Sequence, residues 1–474
     1  MILYSPTLSQ SGRKKIYTNT PITLDTVKAV VEKAMETHRI NAERCNYLMK
    51  YRAGEQEVPH TQVSEDEIWN PVVINNAAAV VDFKNAYTLG TPINFVLRGD
   101  RENKNDDGRI KRLNDIFTVL SKPALDLENG DTLFTCGVAY QAIMPDANNT
   151  VAIYNLDPRS TFLIYSNDIY KKVVASVTFT IENTSAMEKT HYVVHTPQTV
   201  YEWTDEGAIK TTPNGIGMIP VVEYATITRQ GAFENAISVL DALNITASER
   251  STAISKFVSA FVWMDNVDID DEKMAELKTG GAVLTSSESG RQATIKYVTA
   301  ELNQDGTQSY ADDLYDKMLV ICKMPGREQA SGGNTQGAVI FGASGWAEAE
   351  NDAKTISALI GRSERALLNL VLHICHNSKD DPVPGLNGID VDISFTRNQT
   401  ANLISKTQAL LNMLTAGVHP RKALEKCDIF DDPELVYEES VEYLKKWLDP
   451  EQWDTAESEA LDDGTNSGQI NKIS

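Results

Sequence analysis

Apolar residues recur at three- and four-residue spacing between Thr307 and Asn377, broken only by one glycine-rich interval. Tyr310, Leu314, Met318 and Ile321 share a face and predict a helix over 309–322 that stops at Pro325-Gly326. Trp346, Ala349, Ala353, Ile356, Ile360, Leu367, Leu370 and Ile374 keep the alternation for about eight turns and predict a long helix through Trp346 to Ile374. The interval from Gly326 to Gly337 has no large apolar residue that could hold it to a core. Backbone entropy therefore predicts a mobile loop unless a neighbour confines it.

Upstream, 22–53 reads as a helix with Val27, Val30, Val31, Ala34, Ile40 and Tyr47 on its apolar face. A second helix over 75–90 closes at Gly90, 91–97 is extended, and 109–130 is helical, kinked or divided at Pro123. From 133 to 225 the period changes to two. The runs 133–144, 150–156, 162–165, 173–181, 191–195, 199–203 and 219–224 predict short strands of an antiparallel region.

Helical spacing returns over 233–264, carried by Phe233, Ile237, Leu240, Leu243, Ala247, Ile254, Phe257, Val258 and Phe261 without a glycine or proline. Next come a brief helix over 270–278 and a hairpin of 282–284 with 293–298 around 286–290. This small module lies between two helices of similar character, so its ends must be close, as in an insertion. Further on, 389–395 alternates as an edge strand, and 402–414, 420–427 and 433–448 form a helical C-terminal unit. The acidic tail from Glu451 reads as disordered. The fold class is α+β.

At 474 residues the chain has room for two to four domains. No apolar run reaches a membrane span, and the first residues lack the regions of a signal peptide, so an intracellular protein without membrane contact is expected. Five scattered cysteines fit neither a disulfide framework nor a zinc pattern and are expected as thiols. A net charge of −22 argues against a surface that grips nucleic acid. It is compatible with handling DNA without holding it, because an acidic wall repels phosphates, although simple solubility is the default reading.

No catalytic constellation emerges, and no cofactor or metal is predicted. The glycine-rich interval lacks the Gly-Lys-Ser/Thr ending of a phosphate-binding loop, and Gly215-Ile-Gly217 precedes a strand where a dinucleotide fingerprint opens a helix. His373 and His376 could share a helix face, but no second ligand pair accompanies them, which favours a helix-end role. Asp380-Asp381, Asp390 with Asp392, and Asp431-Asp432 read as solvated carboxylates. The densest basic groups, Arg13-Lys-Lys15 and Lys445-Lys446, read as solvated faces.

Several collinear stretches resemble the portal proteins of long-tailed (siphophage-type) bacteriophages. They are Tyr51-Arg-Ala-Gly-Glu, Asn75-Asn-Ala through Tyr87-Thr-Leu-Gly-Thr-Pro-Ile93, Gly217-Met-Ile-Pro-Val-Val-Glu-Tyr224, and Phe233-Glu through Asn244 with Ser248. The resemblance covers roughly 25–445. One departure is Gln336-Gly-Ala338, where related portals tend to show Ser-Gly before a small residue.

The resemblance implies a virion protein, assembled in the host cytoplasm as a homo-oligomeric ring, usually of twelve subunits, at one capsid vertex. Double-stranded DNA would enter and leave through it without sequence-specific binding. Its implied partners are the terminase large subunit, head-tail adaptors, and the major capsid and scaffolding proteins. By position, 1–232 and the strand region 379–402 correspond to the wing, 233–264 and 305–323 to stem helices, and 265–304 to the clip. The interval 324–338 corresponds to the tunnel loop, 339–378 to the long wing helix, and 403–474 to the crown and acidic tail. The implied channel-loop residues are Arg327, Glu328, Gln329, Ser331, Asn334, Thr335 and Gln336, with Gly326, Gly332, Gly333 and Gly337 as hinges. Two other readings remain: a nucleotide-dependent enzyme using the glycine-rich loop, and a capsid or tail scaffold without a DNA pore.

Overall fold

The computed structural model describes residues 12–60, 69–98, 108–147, 150–184, 187–205, 207–258, 261–265, 294–298, 304–326, 345–396, 400–427, 429–430, 433 and 436–441. Strand β1 (Ile16–Thr18) leads to helices α1 (Val27–Arg52) and α2 (Asn76–Leu89), then strand β2 (Asn94–Leu97), α3 (Arg109–Val119) and α4 (Lys122–Cys136). The Asn75 side chain caps α2 by accepting the Ala78 N–H at 3.2 Å.

The predicted helix over 109–130 is divided, but not by a proline kink. The break falls at Ser121, which adopts φ 52°, and Pro123 sits in the first turn of α4, where its missing N–H costs no hydrogen bond. Helix α4 also takes in Leu133–Cys136, which the alternation assigns to a strand. Over four residues a helix end buried all round cannot be told from a buried strand. Gly137 ends α4 at φ 75°, with the Gln230 carbonyl carbon 2.4 Å from where a Cβ would stand, so glycine is required twice over.

Eight strands follow: β3 (Val138–Asp146), β4 (Thr150–Leu156), β5 (Thr161–Ser166), β6 (Val173–Thr184), β7 (Met187–His195), β8 (Thr199–Thr204), β9 (Lys210–Pro213) and β10 (Val221–Ala225). They make two sheets instead of one region, a six-stranded sheet in the order β1-β5-β6-β7-β8-β9 and a three-stranded sheet in the order β10-β3-β4. All pairings are antiparallel except that of β1, which lies parallel to β5 with Ile16 beside Ile164. Strand β1 comes from a distant part of the chain, so no hairpin fixes its direction.

A 3₁₀ turn at Glu234–Ala236 starts α5 (Ile237–Val258). The helix predicted over 233–264 stops there. Residues of β11 (Phe261–Asp265) pair antiparallel with β12 (Thr294–Val298), Phe261 opposite Val298. Phe-Val-Trp-Met is rich in strand-forming types, and pairing with a distant partner overrides the helical spacing. The expected partner run 282–284, the helix over 270–278 and the turn at 286–290 lie outside the described residues.

The C-terminal half contains α6 (Gln304–Ile321), α7 (Trp346–Asn377), β13 (Val391–Ser394), α8 (Thr400–Thr415) and α9 (Pro420–Cys427). Strand β13 pairs antiparallel with β2, Val391 opposite Leu97. Of the helix predicted over 433–448 only part is described, and the acidic tail lies outside.

Two helices cover the two sheets. Val27, Val30, Val31 and Ala34 of α1 pack on Phe162, Ile164, Val177 and Trp203 of the larger sheet. Leu367, Leu368 and Val371 of α7 join Ile143, Val151, Ile153 and Val222 of the smaller one. Within this second core lies a charged knot. Lys122 of α4 donates to both oxygens of Asp126 at 2.8 and 2.7 Å and stands 2.8 Å from Glu364 Oε2 of α7 as an ion contact, not an aligned hydrogen bond. The Tyr224 hydroxyl on β10 lies 2.7 Å from Glu364 Oε1 and 2.8 Å from Gln141 Oε1 on β3.

Arg13 corrects an expectation. It is only 1% exposed, and its Nη2 donates to Glu234 at 2.6 and 2.5 Å, while Lys14 and Lys15 stay exposed. A guanidinium out of water needs a carboxylate partner, and this one is remote in sequence. Lys445-Lys446 lies outside the described residues.

Candidate functional site

The glycine-rich interval leaves the end of α6 and returns at the start of α7. Helix α6 closes with the Cys322 N–H on the Met318 carbonyl, and Lys323 then turns the chain out at φ 52°. The Met324 N–H reaches back to the Leu319 carbonyl at 2.8 Å, and Pro325 cannot extend the helix. Across the gap, Gly345 precedes α7 at φ 75°. A Cβ on Gly345 would lie 3.2 Å from the Met324 carbonyl oxygen and 3.5 Å from the Pro325 Cα. The chain therefore departs and returns through one backbone-to-backbone neck.

Side chains fix this neck to the rest of the protein. Asp352 of α7 takes Lys84 of α2 at 2.5 Å on one oxygen and Lys323 at 2.6 Å on the other. Burial alone would raise the Asp352 carboxyl, but the field of Lys84, together with hydrogen bonds from both lysines, holds it below its ordinary range. Tyr87 donates to Glu350 at 2.8 Å, and the Trp346 ring stands 6.1 Å from Phe83 and 5.8 Å from Tyr87. Helix α2 thus grips the first two turns of α7. Of the sequence-predicted loop residues, Gly326 is described and exposed. Arg327, Glu328, Gln329, Ser331, Gly332, Gly333, Asn334, Thr335, Gln336 and Gly337 lie outside the described residues, as does 339–344 of the implied long wing helix.

Sequence reasoning missed Lys84, Tyr87 and Asp352. The one signal available was the aromatic pair Phe83 and Tyr87, four residues apart on a helix and stacked at 5.5 Å.

The helices that lead to the neck pack together. Ile237 and Leu240 of α5 share a buried cluster with Met318, Leu319 and Cys322 from the end of α6, closed by Tyr51, Val80 and Phe233. The other side of α5 carries a polar row that the apolar reading overlooked. Ile74, Val72 and Asn70 of an extended segment donate their backbone N–H groups to Asn244 at 2.8 Å, Ser248 at 2.8 Å and Thr252 at 3.0 Å. Alternate residues of an extended chain are about 6.7 Å apart and four residues of helix rise about 6 Å, so the two repeats match over three bonds. A strap is thereby stitched along α5.

The outward face of α6 is anionic. Asp305, Asp312, Asp313 and Asp316 are all exposed, with Lys317 paired to Asp313 at 2.5 Å and Arg250 bonded to Gln308 beside them. The excess of carboxylates on this face repels a phosphate chain.

The remaining candidates are structural. His373 Nε2 lies 2.8 Å from the Ile216 carbonyl, while His376 lies 2.7 Å from Asp381 and 2.9 Å from the Leu386 carbonyl. The hydrogen bond with Asp381 raises the basicity of His376. Among the described residues no group of three potential metal ligands forms. Asp390 accepts the Asn387 N–H at 3.0 Å, Asp392 stands 3.8 Å from Arg98, Asp380 is exposed, and Asp431-Asp432 lies outside the described residues. All five cysteines are buried free thiols.

A sequence profile described as phage portal protein, SPP1 Gp6-like, matches residues 33–454. No curated protein matches the chain. Among solved structures, the neck of an empty GTA particle with C6 symmetry aligns at TM-score 0.44 and 10% identity, over 75% of this chain and 93% of that one. The virion of a native gene transfer agent particle aligns at TM-score 0.44 and 12% identity, over 79% and 90%.

Proposed function

The chain belongs to the phage portal protein family of SPP1 Gp6-like members, a structural and not an enzymatic family, and from that membership we propose that it closes into a ring at one capsid vertex and forms a channel for double-stranded DNA. Twelve subunits, a place in the virion, and docking to the terminase large subunit, head-tail adaptors, and major capsid and scaffolding proteins complete the proposal. DNA passes inward during packaging and outward at ejection. Helices α5 and α6 serve as the stem, the module containing β11 and β12 as the clip, the interval after Gly326 as the tunnel loop, α7 as the spine of the wing, and the helices from α8 onward as the crown.

The observation that carries this reading is the neck. An interval that departs and returns at Met324 and Gly345 can project as a finger, while Asp352 passes its load to α2 and α7 instead of to the helix ends alone. Repeated around a ring, such fingers form a collar. The exposed acidic face of α6 complements it, since repulsion keeps a duplex centred and free to slide.

Mass measurement in solution with averaged particle images tests the proposal. A closed ring of many subunits with a central hole wide enough for a duplex is expected. A monomer or dimer that hydrolyses nucleotide would overturn it in favour of an enzyme, and closed particles without a hole would favour a capsid or tail scaffold.

A further inference from the structure

A cleft of about 580 Å³ opens where the end of the larger sheet meets α7 and β10. Its apolar wall includes Leu163, Val173, Met218 and Ile219, and its cations are Lys15 and Arg362. Among the described residues of the lining Glu223 is the single carboxylate, and it is already engaged. It holds Arg229 in a two-pronged ion pair with both bonds at 2.8 Å and accepts the hydroxyls of Tyr165 at 2.6 Å and Tyr140 at 3.1 Å. Lys15 lies 4.6 Å above the Tyr165 ring, and among the described residues neither Lys15 nor Arg362 forms an ion pair with a carboxylate. Partial burial weakens the proton affinity of Lys15, as do the fields of Arg229, Arg362 and Lys171, with Glu223 opposing them. Two free cations beside an apolar wall, in a chain of net charge −22, call for an anion that also carries apolar side chains.

The chain itself contains a segment with that chemistry. Residues 449–463 hold seven carboxylates (Asp449, Glu451, Asp454, Glu457, Glu459, Asp462 and Asp463), no lysine or arginine, and the apolar residues Trp453 and Leu461. The segment lies outside the described residues. We propose that the cleft between Lys15 and Arg362 is the docking site for the acidic segment 449–463 of this chain, its carboxylates meeting the two cations and an apolar side chain meeting the Leu163 and Met218 wall. A cleft of this volume takes a few side chains and not the width of a duplex, which favours a peptide over DNA.

Zero-length carbodiimide cross-linking of the full-length protein, read by mass spectrometry, tests this. The expected product is an amide between Lys15 and a carboxylate of 449–463, formed with loss of water as the carbodiimide is hydrated to its urea. The R362E variant, altered at an exposed residue, should lower the yield at Lys15 by about threefold or more and keep the wild-type melting temperature. Cross-links from Lys15 only to other segments, or an R362E yield equal to wild type, would overturn the inference. So would suppression of the Lys15 cross-link by a short DNA duplex but not by a synthetic 449–463 peptide. The same sample imaged for rings separates this outcome from the portal reading, because rings without the cross-link would defeat the docking proposal alone.

Discussion

Asp352 on α7 and Lys84 on α2 stand 2.5 Å apart, both largely shielded from water, and the second oxygen of that carboxylate holds Lys323 at the mouth of the glycine-rich interval. One carboxylate therefore joins three segments at the point where the chain leaves for the loop. Asp352→Asn would leave Lys84 without its counter-charge. A destabilisation of about 3 kcal/mol is expected, against under about 1 kcal/mol for Lys323→Ala, whose ammonium is exposed. Denaturant unfolding of the two variants checks the ratio, and equal losses would show that the buried pair is not the dominant contact. The fold depresses this carboxyl, so its contribution is present at neutral pH and is lost as the pH falls from the unfolded value of 3.8 through the lower folded one.

The knot around Lys122 has the opposite sign. Burial, and then the nearby Glu364, push Asp126 up to about 7 against the pull of Lys122 and a hydrogen bond from Gln141. Tyr224 completes the ring of groups that face it. An acid with a raised folded pKa favours the folded state most below its unfolded value, and the advantage fades as the pH rises through the folded one. Wild type should therefore lose stability relative to Asp126→Asn between about pH 4 and 7. Paired melting curves across that range measure the difference, and parallel curves would contradict it.

Ser248→Ala removes the central stitch between α5 and the strap at 69–74. The Val72 N–H would lose its side-chain partner at a cost of about 1 kcal/mol. Hydrogen exchange should quicken first at Val72 and then at Asn70 and Ile74. Unchanged protection at all three would mean that the strap is held elsewhere.

Deleting Ser331 to Thr335 shortens the interval beyond its neck and leaves Met324, Gly345 and Asp352 in place. The ring should assemble normally while DNA packaging falls. Full packaging by this variant would remove the tunnel-loop assignment.

Much of the fold was legible because helices α1, α2, α6, α7 and α9 and most strands follow a single period along the chain. Where local preference competed with a distant partner, the reading failed. Phe261–Asp265 became strand and Arg13 went inside to meet Glu234, while Leu133–Cys136 became helix because a short buried run fits either period. The place of the candidate site was also visible, since a glycine-rich run between two helical patterns marks itself.

By itself the sequence determined the helix and strand periods, the acid excess, the lack of a nucleotide-binding ending and the collinear portal resemblance. Tertiary structure alone decided what holds the loop's two ends together. Lys84 and Asp352 are 268 residues apart, and Val72 and Ser248 are 176 apart. Such contacts depend on how packed layers bring distant residues together, and no local periodicity encodes that geometry.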